Sequence, residues 1–230
     1  MRILRLRPHV TLLATVGWLL LASDARALSF QADFVATTFQ VSAGDGYAEL
    51  AAAFAAGTPL ASVTMTGFEN VSAQVEAGVS GDYGIRLVAD LTVAAAGQYE
   101  FQIGADWGRG GVAAVIDTAT GTVLDEVVRT DDIWWSNDWN DPDVFTTQLA
   151  LDADTSYTLV WLGFEGCCGG ATTVRFSYEG GVFQTLNEPN LAPLVVPEPG
   201  VAALLGLGLA GLAGRLAPVR AARRFGISQA

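Results

Sequence analysis

Gly84-Ile85-Arg86-Leu87-Val88-Ala89-Asp90-Leu91-Thr92-Val93 places Ile85, Leu87, Ala89, Leu91 and Val93 on one face and Arg86, Val88, Asp90 and Thr92 on the other. A strict period of two over ten residues predicts a strand with one buried face. The same alternation recurs on both sides of it. Residues 98–104 carry Tyr99, Phe101 and Ile103 in phase, and residues 144–151 carry Phe145, Thr147, Leu149 and Leu151. Residues 111–117 and 122–129 flank Thr118-Ala119-Thr120-Gly121, a hairpin signal. Residues 28–41, anchored by Phe30, Phe34 and Phe39, and residues 63–71, 156–164 and 172–178 complete the set. Gly and Asp punctuate nearly every join. Only residues 47–56, rich in alanine and leucine, read as a short helix or part of a loop. Many short strands at this spacing predict an all-β fold. The expected form is an antiparallel β-sandwich of jelly-roll type with one short helix, and a closed barrel is the alternative. The pairing order does not follow from the sequence.

The two ends have another character. Arg2, Arg5 and Arg7 precede an apolar run at residues 10–21, and Ala25-Arg26-Ala27 offers a small-x-small cleavage site. This is the pattern of a signal peptide over residues 1–27, read by the Sec export machinery. The run is shorter than the roughly 20 apolar residues of a spanning helix. At the other end Val196-Pro197-Glu198-Pro199-Gly200 leads into an apolar stretch, and Arg215, Arg220, Arg223 and Arg224 follow. Residues 201–219 just reach a bilayer span if Arg215 snorkels, and the cationic end favours the cytoplasmic side. Pro197, Glu198 and Pro199, the span and the arginines together resemble the PEP-CTERM sorting signal of Gram-negative bacteria. That resemblance implies an exosortase as processing partner. It also implies a transient inner-membrane anchor and a final place at the cell surface or in an extracellular polysaccharide matrix. The expected organisation is a sandwich domain at 28–187, a Pro-containing linker at 188–196, the sorting signal at 197–224 and a tail at 225–230.

Of 230 residues, 12 are basic and 24 acidic, and the segregation is strong. Residues 28–199 keep four arginines (Arg86, Arg109, Arg129, Arg175) against 23 acids, a net charge of −19, with no lysine. Such a surface repels nucleic acid and anionic headgroups and attracts divalent cations. The single histidine, His9, lies in the leader. Ser-His-Asp and Cys-His nucleophiles, Schiff-base lysines and histidine metal sites are therefore excluded from the body. Carboxylate chemistry of the glycoside hydrolase kind remains formally open. With so many acids it has no specific signal, and the chain reads as a non-enzyme. A structural acidic, cation-binding matrix protein is the second reading.

Two segments carry candidate function. Residues 131–143 hold three tryptophans (Trp134, Trp135, Trp139) and five aspartates in thirteen positions. The indole faces suit sugar rings, with Asp and Asn to meet the hydroxyls. Asp138, Asn140, Asp141 and Asp143 have the ligand chemistry of a calcium loop, without EF-hand spacing. A solvated acidic face over core tryptophans is the bland alternative. The second segment is Gly166-Cys167-Cys168-Gly169-Gly170. In an oxidising compartment, with no other cysteine in the chain, a vicinal disulfide is the natural intramolecular product, and an intermolecular bridge is the other outcome. A tight turn between the strands at 156–164 and 172–178 is the plain reading. A ligand edge or a redox-labile switch is the functional one.

Residues 161–170 resemble the Cys-Cys-x-Gly signature of one PEP-CTERM group, with Gly169 at x and Gly170 closing it. Asp106-Trp107-Gly108-Arg109-Gly110-Gly111 resembles the acidic turn of PA14-like β-sandwich lectin domains, which follows a Tyr-x-Phe strand, here Tyr99 and Phe101. The resemblance implies ligand contact at Asp106 and Trp107, although Trp107 replaces the second acid of that turn.

Overall fold

The computed structural model describes residues 28–196. The signal peptide with its cleavage site at Ala25 and Ala27, and the sorting signal from Pro197 onward, lie outside the described residues. In chain order the elements begin with β1 (Ser29–Ala36), α1 (Tyr47–Ala55), β2 (Thr58–Met65), β3 (Val71–Ser72), α2 (Ala73–Glu76) and β4 (Tyr83–Thr92). Then come β5 (Gly97–Gly104), β6 (Asp106–Trp107), β7 (Gly111–Asp117), β8 (Val123–Arg129) and β9 (Ile133–Trp134). The last are β10 (Phe145–Leu151), β11 (Ser156–Glu165), β12 (Ala171–Tyr178), β13 (Gln184–Thr185) and α3 (Glu188–Leu191).

All strand pairs are antiparallel, in a six-stranded sheet ordered β2-β1-β4-β11-β7-β8 and a second sheet ordered β10-β5-β12-β13. The inward residues of β4 (Ile85, Leu87, Ala89, Leu91) meet those of β5 (Tyr99, Phe101, Ile103) and β12 (Val174, Phe176) in one core. Trp161 of β11 bridges the sheets, with its ring 6.5 Å from Phe101 and 5.9 Å from Phe68. The expected antiparallel sandwich is therefore the observed one.

From Leu159 to Phe164 strand β11 reads as an unbroken apolar run because both its faces are covered. Its outer face, with Val112 of β7, packs under Leu50 and Phe54 of α1. The start of α1 is held by carboxylates. Gly46 N–H donates to Glu49 Oε2 (3.0 Å), and Tyr47 N–H donates to Glu126 Oε2 of β8 (2.9 Å). Negative oxygens there satisfy otherwise unpaired N–H groups and complement the helix dipole.

Four expectations need correction. The strand expected at 63–71 is two elements, β2 and β3. As an edge strand β2 buries no residue fully, so its alternation is weak. Two further four-residue helices, α2 and α3, join the expected one. The linker at 188–196 is part of the fold. Asn187 caps α3 by accepting from Asn190 N–H (3.0 Å), Leu191 is buried, and Val195 bridges Val93. Finally, residues 166–170 do not close a hairpin. Strand β11 pairs with β4 and β7 while β12 pairs with β5, β3 and β13, so this segment crosses from one sheet to the other. Among the described residues, no helix is long and apolar enough to cross a membrane.

Candidate functional site

The alternation that buries Val174 and Phe176 turns Thr173 and Arg175 of β12 to the outer face of the second sheet. There Arg175 lies directly opposite Gln102 of β5, and Thr173 opposite Gly104. Gln102 Oε1 accepts from Arg175 Nε (2.9 Å) and Nη2 (2.6 Å). The guanidinium carbon sits 4.0 Å from the Trp139 ring centre and 4.3 Å from that of Phe183. Around this stacked cation opens a cleft of about 330 Å3 lined by Trp135, Trp139, Arg175, Phe183, Asn70 and Glu69, with threonines 173 and 185 and Gln184. Burial pulls the Arg175 pKa below its ordinary value, opposed by the charge of Glu100 on the same face.

Loop 135–144 is shaped to bring the tryptophans here. Trp135 N–H donates to the carbonyl of Ala105 (3.3 Å), and Asp138 N–H returns to the carbonyl of Trp135 (2.7 Å). The two residues between, Ser136 (φ 51°) and Asn137 (φ 60°), are both left-handed, as a type I′ turn requires. The reversal lays Trp139 beside Trp135, with ring centres 4.5 Å apart at 57°. Trp135 itself is buried against Gly104, where a Cβ would stand 2.2 Å from the indole. Arg129 ties down the far end of the loop by donating to the carbonyls of Pro142 and Val144.

The residues of the calcium expectation lie on this same loop. Asp138 Oδ1 accepts from Asn140 N–H (2.9 Å) and Asn140 Nδ2 (3.2 Å). Asp141 Oδ1 accepts from Asp143 N–H (2.8 Å), and Asp143 Oδ2 from Trp134 N–H (3.0 Å). Asp138 and Asp141 make Asx-turns, and Asp143 ties the loop back to Trp134. Among the described residues, no group of three or more acids, cysteines or histidines is placed to hold a metal ion.

The remaining predicted ligand residues part company. Trp107 is 1% exposed, wedged against Gly111 and Gly163 and 5.6 Å from the Phe145 ring, so it is part of the core. Asp106 pairs with Trp134 across the β6–β9 ribbon, and the Trp134 side chain is 64% exposed, outside the cleft lining. Desolvation raises the Asp106 pKa, helped by the charges of Glu165 and Asp132. Trp135 and Trp139 are the two that reach the cleft.

Cys167 and Cys168 form the expected vicinal disulfide, exposed on the crossover. Cys168 (φ 71°) and Gly169 (φ 54°) are both left-handed. The crossover is fixed from below by Glu165, which is 2% exposed. Its Oε1 accepts from Gly166 N–H (2.6 Å) and Cys167 N–H (2.8 Å), and its Oε2 from Gly108 N–H (2.9 Å). Arg109 braces the neighbouring loop through Asp82 (2.6 Å).

Sequence reasoning missed Arg175, Phe183, Asn70, Glu69 and Glu165. Arg175 left one signal, as one of only four basic residues in the body.

No family model and no curated protein matches the chain. Solved structures do resemble it. A PA14 sugar-binding domain from an RTX adhesin is 16% identical, covering 75% of this chain and 99% of that one, at TM-score 0.45. The Epithelial Adhesin 9 A domain from Candida glabrata, in complex with Galβ1-3GlcNAc, is 9% identical over 76% and 92%, at TM-score 0.47. The PA14 domain of the MpAFP antifreeze protein is 15% identical over 74% and 90%, at TM-score 0.46.

Proposed function

We propose that the chain is an exported, non-enzymatic protein that contacts polysaccharide at the cell surface or in the extracellular matrix, through the cleft over β12. The observation that carries this reading is the cleft itself. Its tryptophan pair, Trp135 and Trp139, stands beside the polar groups of Asn70, Thr173 and Gln184. Flat apolar surface beside fixed donors and acceptors suits a pyranose, which has apolar C–H faces and an equatorial belt of hydroxyls. Of the lining residues only Glu69 is a carboxylate, whereas the usual glycosidic hydrolysis needs two acids flanking one bond. Binding without turnover is the function this lining supports.

The destination rests on sequence order at the ends. The leader directs export, and Pro197-Glu198-Pro199 with its span and arginines directs sorting by an exosortase. Val195 and Val196, the last described residues, pack on the domain, with Val196 N–H donating to the Thr92 carbonyl (2.8 Å). Cutting the chain at the motif would leave every described element intact.

The test is polysaccharide binding by the purified chain, with Trp139→Ala. Loss of one stacked aromatic is expected to weaken binding by about tenfold. Full affinity in that variant would refute the site. For sorting, alanines at Pro197, Glu198 and Pro199 are expected to leave the chain at its unprocessed mass in the inner membrane. Normal release would refute that part.

A further inference from the structure

We propose that the saccharide held in this cleft is anionic, a hexuronate unit whose carboxylate pairs end-on with Arg175. This deepens the carbohydrate reading and rests on it.

The argument starts from how the guanidinium is used. Gln102 Oε1 takes the Nε and the near side of Nη2. That edge of the fork is spent on a neutral amide. The end-on pair of donors, from Nη1 and the outer side of Nη2, has the spacing that matches a carboxylate. The other arginines of the body are committed. Arg86 pairs with Asp33 and Arg109 with Asp82, at 2.7 and 2.6 Å. Arg129 donates to two carbonyls at the end of the tryptophan loop. Among the described residues, Arg175 is in no ion pair, although 23 acids are available in the body.

The cation is also held in place. Stacking on Trp139 and Phe183 fixes its plane, and Gln102 fixes its rotation about that plane. A side chain ordered before binding loses little further freedom on binding, so the pair forms at low entropic cost. Burial already disfavours the bare cation, and an incoming anion offsets that loss of solvation.

Two carboxylates oppose the pair. Glu69 lies on the exposed rim of the cleft, and Glu100 shares the outer face of the sheet. Screening over about 8 Å at physiological ionic strength weakens the acidic surface beyond the cleft. A bidentate charge-assisted pair is the stronger term at contact range.

The experiment measures affinity of the full chain for soluble polyuronates (galacturonan, mannuronan and glucuronan) and for the carboxyl-reduced, neutral form of each, at physiological ionic strength. At least one acid polymer is expected to bind about tenfold or more tighter than its neutral counterpart. Arg175→Gln should lower affinity for the acid polymers by more than for their neutral forms, so that the preference is lost, and Glu69→Gln should enlarge the preference. Equal affinity for acid and neutral forms would overturn the anionic assignment while leaving carbohydrate binding standing. So would an Arg175→Gln loss of equal size on both forms. No binding of any polymer would remove the carbohydrate reading and this one with it. If Arg175→Gln proves unfolded by circular dichroism, the acid-to-neutral ratio of the unmodified chain and the Glu69→Gln response decide.

Discussion

Gly104→Ala tests the placement of the tryptophan pair. A methyl at Gly104 would stand 2.2, 2.3 and 2.6 Å from three carbons of the Trp135 indole. Carbon atoms in contact rest at about 3.5–4.0 Å, so the ring must retreat by more than about 1 Å. Trp135 is only 5% exposed and sits beside Trp139, so it can retreat only toward Trp139 and the cleft. Overpacking of this kind costs about 1–3 kcal/mol. Alanine gains roughly 0.5–1 kcal/mol over glycine inside a strand, which leaves a net cost of up to about 2.5 kcal/mol. At roughly 2–4 °C per kcal/mol for a domain of this size, the melting temperature should fall by up to about 10 °C. Calorimetry of a double-mutant cycle with Trp135→Ala isolates the cause. Trp135→Ala alone should cost about 3–5 kcal/mol, as truncation of a buried aromatic does. In that background the extra methyl enters vacated space, and its penalty should drop below about 0.5 kcal/mol. An equal penalty in both backgrounds would refute the contact. The displaced indole should also push Trp139 off Arg175, so polysaccharide affinity should fall in Gly104→Ala together with stability.

Two further outcomes follow from buried and paired carboxylates. Glu165→Gln leaves an amide with one acceptor oxygen where Gly108, Gly166 and Cys167 all present N–H groups, so unfolding by denaturant should show a loss of about 1.5–3 kcal/mol. For Asp33, desolvation pushes the carboxyl up, but hydrogen bonds from Ser62 and Arg86, the Arg86 charge and a hydrogen bond from Gln31 outweigh it. The net folded pKa lies below the ordinary 3.8. A depressed carboxyl stabilises the fold above its unfolded pKa and loses that contribution as pH falls through the folded one. Melting curves of the native chain and Asp33→Asn should therefore differ at neutral pH and converge below pH 3.8. A gap that persists into strong acid would contradict the assignment.

Most strands were legible because alternation is a local property. Ile85 to Val93 shows its buried face whatever lies beside it. So do Tyr99, Phe101 and Ile103, since the period of two comes from the strand backbone itself. The hairpin at 118–121 was legible for the same reason. Asp117 accepts from Thr120 N–H (2.9 Å), and Gly121 takes the left-handed position (φ 70°). Where the pattern fails, burial explains it. Edge strand β2 has little buried surface to imprint a pattern, and the apolar run of β11 gives no face at all because both are covered.

The sequence by itself determined the strand periodicity, the acidic, lysine-free body and the proximity of Cys167 to Cys168, because each depends on neighbours in the chain. It also listed tryptophans at 134, 135 and 139 without saying which would face a ligand. The tertiary structure separated them. Trp107 went to the core, Trp134 to solvent, and Trp135 and Trp139 to the cleft. Arg175 became the centre of the site through Gln102, 73 residues away, and through Phe183 on the path to another strand. Strand parity puts Arg175 on an outer face. Only the order of strands and the path of the loops decide what covers that face, because those contacts join segments that no local pattern connects.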